Sequence, residues 1–108
     1  MKIFCINLPR SQDRRTFQHR QADRYGLEVC FLEAIDYKSL SEVELQRAAQ
    51  CWTRPIVGKD VGCFRSHRAA WERISSSSEL CMVVEDDIVF SDSIQLALNL
   101  IETKHTDP

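Results

Sequence analysis

Apolar residues in this chain fall into two rhythms. Short unbroken runs, Ile3-Phe4-Cys5-Ile6, Val29-Cys30-Phe31-Leu32 and Leu80-Cys81-Met82-Val83-Val84, read as β-strands. The last reads as a strand covered on both faces, as in a parallel sheet between helices. The stretches between them carry helix signals. Asn7-Leu8-Pro9-Arg10 breaks the first strand, Ser11 is the expected N-cap of a helix running to Tyr25, and Gly26 supplies its stop. The second strand ends near Ala34-Ile35-Asp36. Ser41 with Glu44 three residues on makes a capping box, opening a helix to about Gln50. The loop Thr53-Arg54-Pro55-Ile56-Val57-Gly58 leads into a helix from about Asp60 to Ser75. Its expected buried stripe is Val61, Phe64, Trp71 and Ile74, with Trp71 as plain core. Ser75-Ser76-Ser77-Ser78 is a polar linker. Ser91 caps a last helix, to about Glu102, with Ile94, Ala97, Leu98 and Ile101 on one face. Strands alternating with helices imply βαβ units with right-handed crossovers, and hence an α/β fold with a mostly parallel sheet.

Length and composition narrow the picture. The 108 residues make one domain, small for a sheet covered on both faces. A net charge of −2 gives no reason to expect nucleic acid as a partner. No run is long enough to cross a bilayer, and Met1-Lys2-Ile3-Phe4-Cys5 turns polar too soon for a signal peptide. The expected compartment is the cytoplasm. Cysteines at 5, 30, 51, 63 and 81 are odd in number and lack C-x-x-C spacing. They are expected to be buried reduced thiols, neither a zinc knuckle nor a disulfide framework.

Chemistry concentrates where the third strand ends in Glu85-Asp86-Asp87. Like charges so close resist ionising together, and open α/β sheets bind ligands outside the carboxyl ends of their strands. Alternation points Glu85 and Asp87 one way and Asp86 the other. Converging oxygen donors suit Mg²⁺ or Mn²⁺ bridging phosphates; the competing reading is a solvated acidic turn. The third helix carries Gly62-Cys63-Phe64-Arg65-Ser66-His67. As a lone residue at the margin of the apolar stripe, His67 reads first as a satisfied core histidine. The alternative is that Gly58 and Gly62 aim the helix N-terminus at a diphosphate, with Ser66 and His67 adding polar contacts. Arg10, Arg14, Arg15, Arg20 and Arg24 give the first helix a basic, solvated face, from which Arg14 or Arg15 could reach a phosphate above the first strand. Neither a P-loop nor a G-x-G-x-x-G turn nor a G-x-S-x-G elbow is present, which disfavours the usual ATPases, NAD enzymes and serine hydrolases.

Taken in order, Ile6-Asn7-Leu8, Ser11 with Arg14-Arg15, Ala34-Ile35-Asp36, Gly62-Cys63 with Ser66-His67 and Trp71, and Glu85-Asp86-Asp87 resemble glycosyltransferase family 25. The resemblance runs from Ile3 to about Leu98. It implies a truncated GT-A-like (Rossmann-like) fold and transfer of a sugar from a donor such as UDP-galactose to a lipopolysaccharide or lipooligosaccharide glycan. It further implies a metal site at Glu85, Asp86 and Asp87 holding Mn²⁺ or Mg²⁺, with Asp87 as the direct ligand. The donor would rest on Asn7, Ser11, Arg14, Asp36, Ser66 and His67, with Asp36 turned to the uridine or ribose. Two positions depart from the family pattern: Tyr37 stands where Gly is usual, and Asp60 where Glu is usual. Family members are more than twice as long, so the half that supplies the acceptor site and any catalytic base is expected to be missing after Pro108. The alternative to a transferase is a non-catalytic nucleotide-sugar-binding or subunit-pairing module. An uncovered sheet would drive homodimer formation, aggregation, or folding back of the last helix as a lid. The cytoplasmic setting would include peripheral association with the inner membrane face.

Overall fold

The computed structural model describes residues 1–54 and 56–106. Pro55 of the expected loop, Asp107 and Pro108 lie outside the described residues. Strands β1 (Lys2–Asn7), β2 (Glu28–Glu33) and β3 (Cys81–Glu85) form one sheet in the order β2-β1-β3, parallel throughout. Ile6 stands level with Leu32 on one side and Glu85 on the other, so all three strands end at one edge. The both-faces-covered reading belongs to β1. Paired on either side, β1 buries Ile3, Phe4, Cys5, Ile6 and Asn7, whereas β3 is an outer strand that buries only Val84.

Helices α1 (Gln12–Tyr25) and α4 (Ile94–Thr106) cover one face. Ile3, Cys5 and Val84 meet Phe90 and Leu98 there, with Tyr25 and Ile94 packed alongside. The last helix thus folds back on the sheet, starting three residues after Ser91, whose hydroxyl accepts from Ser93 N at 3.2 Å. Leu98 is its buried anchor; Leu96, Leu100 and Ile101 face outward. Gly26 ends α1 with φ 64, a left-handed conformation that costs glycine nothing. At the other end Ser11 occupies the N-cap position, but its hydroxyl makes no capping bond. Helix α2 (Glu42–Gln50) begins at the full capping box, with Glu44 N donating to Ser41 Oγ at 3.1 Å and Ser41 N to Glu44 Oε2 at 2.9 Å.

Helix α3 (Gly58–Ser75) crosses the opposite face, touching β1 and β3. Its buried residues are Val61, Gly62, Ser66 and Ala70, which corrects the expected stripe: Phe64 is 45% exposed and Trp71 53%. The reason is distance. Gly62, Ser66 and Ala70 recur every four residues and let the helix lie close to the sheet, which turns the bulky aromatics toward α2. The cysteines also depart from expectation: Cys5 is buried, Cys30 and Cys81 are half-buried, and Cys51 and Cys63 are exposed thiols. No helix among the described residues is long and apolar enough to cross a membrane.

Candidate functional site

At the carboxyl edge of the sheet lies a cleft of about 590 Å³. Its walls come from the end of β1 and the start of α1 (Ser11, Arg14), the segment after β2 (Ala34, Ile35, Asp36), α3 (Lys59, Cys63, Ser66, His67) and the end of β3 (Glu85, Asp86, Asp87). A larger hollow of about 1120 Å³ between α2 and α3 is lined chiefly by apolar groups, among them Trp52, Phe64 and Trp71. The smaller one holds the acidic end of β3 together with Arg10, Arg14 and Lys59.

The acidic end of β3 divides its labour. Asp86 is buried, and its carboxylate accepts from Asn7 Nδ2 at 2.8 Å and pairs with Arg14 at 3.2 Å. Asn7 gives its other amide hydrogen to Ser11 O at 3.1 Å, which ties the first β–α loop to the same spot. Asn7 Oδ1 is buried without a partner among the described residues. Glu85 and Asp87 are exposed on either side of Asp86, and Asp87 makes no hydrogen bond or ion pair among the described residues. The segment is clamped from below by two glutamines. Gln18 Nε2 donates to Asp86 O at 3.0 Å and to Ile88 O at 2.9 Å, and Gln21 Oε1 accepts from Phe90 N at 2.8 Å. Gln18 and Gln21 are the buried residues of α1, so this helix is attached through amide hydrogen bonds where an apolar stripe would be usual.

Across the cleft, Glu85 Oε1 lies 3.1 Å from Cys63 Sγ and 3.2 Å from His67 Nε2. The Cys63 hydrogen bond, then that of His67, holds the Glu85 carboxyl below its ordinary range. In return the Glu85 bond, reinforced by burial, pushes the Cys63 thiol up to about 11. Ser66 is engaged inside the wall, its hydroxyl accepting from Ile35 N at 2.8 Å and donating to Gly62 O at 2.7 Å. Gly62 shows why α3 can sit so near. A Cβ there would stand 2.9 Å from Ile35 O and 3.2 Å from Tyr37 N.

Asp36 caps a short 3-10 turn, accepting from Lys38 N at 3.1 Å, and pairs with Arg10. These bonds, Lys38 N first, hold its carboxyl below the usual range. Lys59 has no ion pair among the described residues and is the cleft's uncompensated cation. Of the residues nominated from sequence, Ser11, Arg14, Asp36, Ser66, His67, Glu85, Asp86 and Asp87 line this one cleft, and Asn7 lies beneath it. Lys59, Cys63, Gln18 and Gln21 were missed. Only Cys63 carried a local signal, its four-residue spacing from His67. For a hard cation, Asp87 and Glu85 present carboxylate oxygens to the cleft and fit, whereas Asp86 is already satisfied by Asn7 and Arg14.

The family model of glycosyltransferase family 25 (LPS biosynthesis protein) matches residues 1–107. The chain belongs to glycosyltransferase family 25. Similar proteins include a glycosyltransferase 25 family member of Aedes aegypti, 35% identical over 98 residues. Procollagen galactosyltransferase 2 of Mus musculus is 34% identical over 103 residues. Each match covers 82% of this chain and 16% of the relative, so the chain spans about a sixth of the length of these relatives. Procollagen galactosyltransferase 1-A of Xenopus laevis is 28% identical over 120 residues, covering 98% of this chain and 20% of that protein. No solved structure gives a significant match. Membership makes the chain part of a glycosyltransferase family.

Proposed function

We propose that this chain binds a nucleotide diphosphate sugar, UDP-galactose foremost, together with Mn²⁺ or Mg²⁺, as the donor-binding part of a galactosyltransferase. One observation carries the reading: exposed carboxylates at Glu85 and Asp87 share a cleft with the cations Arg10, Arg14 and Lys59, at the carboxyl edge of a parallel sheet. A diphosphate needs both kinds of partner. The metal would be held by Asp87 with Glu85 beside it, and when bound it supplies charge neutralisation to the departing diphosphate.

The chain's own residues have distinct parts. Lys59, without an ion pair among the described residues, attracts the phosphates directly. Arg14 is anchored by Asp86, so its guanidinium stands ready above β1 without having to be ordered on binding. Asp36, kept ionised by Lys38 N and Arg10, accepts hydrogen bonds from ribose hydroxyls. Asn7 and Ser66 act through other groups. Asn7 aims Asp86, and Ser66 fixes the backbone at Ile35.

Calorimetry with UDP tests the reading. Affinity rises when Mn²⁺ is added, and Asp87→Ala removes that increment while circular dichroism stays unchanged. Equal affinity with and without Mn²⁺ in the wild-type chain would return Glu85-Asp86-Asp87 to a solvated acidic turn. For the acceptor, the family is described by lipopolysaccharide synthesis and the relatives by procollagen. We take a lipooligosaccharide glycan as the first acceptor, in a cytoplasmic setting at the inner membrane face, and a procollagen peptide is the second arm of the transfer assay. Donor binding with transfer to neither acceptor favours the binding-module alternative. Light scattering tests self-association into a homodimer.

A further inference from the structure

We propose that Cys63, His67 and Glu85 form a binding site for a thiophilic divalent cation, with Zn²⁺ as the best fit, which shares the Glu85 carboxylate with the oxygen-ligand cation assigned to Asp87 but differs from it in donor chemistry. The inference goes beyond the donor-binding reading and needs neither nucleotide nor Mn²⁺. Cys63 and His67 stand one helical turn apart on α3 and project from the same face. Glu85, the last residue of β3, meets both from across the cleft. One ligand atom from each residue lies within 4.8 Å of the other two. In a tetrahedral zinc site, with Zn–S of about 2.3 Å and Zn–N and Zn–O of about 2.0–2.1 Å, such atoms stand about 3.3–3.6 Å apart. The contacts of Glu85 Oε1 to Cys63 Sγ and His67 Nε2, at 3.1 and 3.2 Å, are within a few tenths of that spacing.

The donor set selects the metal. One thiolate, one imidazole and one carboxylate suit Zn²⁺ or Co²⁺, whereas Mg²⁺ and Mn²⁺ prefer all-oxygen ligands. On binding, the metal–sulfur bond replaces the S–H bond of Cys63 and the proton leaves to solvent. Three protein ligands would leave a fourth position open. The ring of Trp71 lies 5.9 Å from that of His67, which places a fluorescent reporter beside the site.

Cobalt titration of the chelator-treated, reduced 108-residue chain tests this without nucleotide. Expected are a sulfur-to-cobalt charge-transfer band in the near ultraviolet, visible bands of tetrahedral intensity, quenching of tryptophan fluorescence, saturation at one equivalent, and displacement by Zn²⁺. Cys63→Ser loses the charge-transfer band. His67→Gln and Glu85→Gln each weaken cobalt binding by about tenfold or more. Cys51→Ser and Asp87→Ala leave the spectrum unchanged, and Cys63→Ser keeps its Mn²⁺-dependent UDP binding, so this site and the donor site fail separately. No charge-transfer band from a chain folded by circular dichroism, or a band that survives in Cys63→Ser, overturns the assignment.

Discussion

Asn7 Nδ2 and Asp86 Oδ2 meet at 2.8 Å across 79 residues of sequence, joining the ends of β1 and β3 beneath the cleft. Both residues are buried, so neither can exchange its partner for water. Breaking one side of a buried charged hydrogen bond costs more than the bond's net worth, because the remaining carboxylate is left short of donors. Asn7→Ala is expected to destabilise the chain by about 2–3 kcal/mol in urea unfolding. Asn7→Asp is expected to cost more, since it sets a second carboxylate against the first. A loss below about 0.5 kcal/mol for Asn7→Ala, the size of an ordinary surface change, would show that the bond contributes nothing.

Two glycines on α3 separate rigid from yielding neighbours. At Gly62 an added methyl meets backbone, Ile35 O at 2.9 Å and Tyr37 N at 3.2 Å, while at Gly58 it meets the Tyr37 ring at 2.5 Å. The ring can rotate and the backbone cannot. Gly62→Ala is therefore expected to cost about 2–3 kcal/mol, and Gly58→Ala less, with part of its clash offset by the better helix propensity of alanine. Thermal melts of the two variants decide the order.

The thiol of Cys63 is exposed yet held up to about 11 from its ordinary 9.0. Folding thus disfavours its thiolate, and the contribution to stability is present below pH 9.0 and is lost as pH rises toward about 11. Iodoacetamide labelling at pH 8.5, in chelator and read by mass spectrometry, is expected to be slow at Cys63. Glu85→Gln speeds it several-fold by removing the carboxylate that opposes the thiolate. An unchanged rate would mean that Glu85 does not govern this thiol.

Glu85 behaves in the opposite sense. Its folded carboxyl is held below the ordinary 4.5 by Cys63 and then His67, so its contribution is present above pH 4.5 and is lost as pH falls through the lower folded value. Urea midpoints between pH 6 and pH 3 are expected to fall less steeply in Glu85→Gln than in the wild-type chain.

The strands and the α2 cap were legible in sequence because their signals are local: an apolar run, or Ser41 and Glu44 three residues apart. The orientation of α3 was not. Phe64 and Trp71 give a plausible apolar stripe, and only the distance between helix and sheet decides that Gly62, Ser66 and Ala70 turn inward instead. Gln18 and Gln21 were hidden for a different reason. Polar residues on a basic helix read as solvated, and their partners at Asp86, Ile88 and Phe90 lie 67 to 70 residues away. The acidic end of β3 could be picked out as a cluster, but which carboxylate faces inward depends on Asn7 and Arg14. The grouping of Cys63 and His67 with Glu85 arises only when α3 is laid beside β3.

The attachment of α1 through Gln18 and Gln21 has a mechanical consequence. A greasy helix can slide along its partner by fractions of a turn, because dispersion contacts are directionless. A helix pinned by amide bonds to Asp86 O, Ile88 O and Phe90 N has one register, and a shift of the acidic segment pulls on it. Strain introduced at Asp87 when a ligand settles there would travel into α1 as into a lever, and slower amide exchange along Gln12–Tyr25 would register occupancy of the cleft beyond the first turn that lines it.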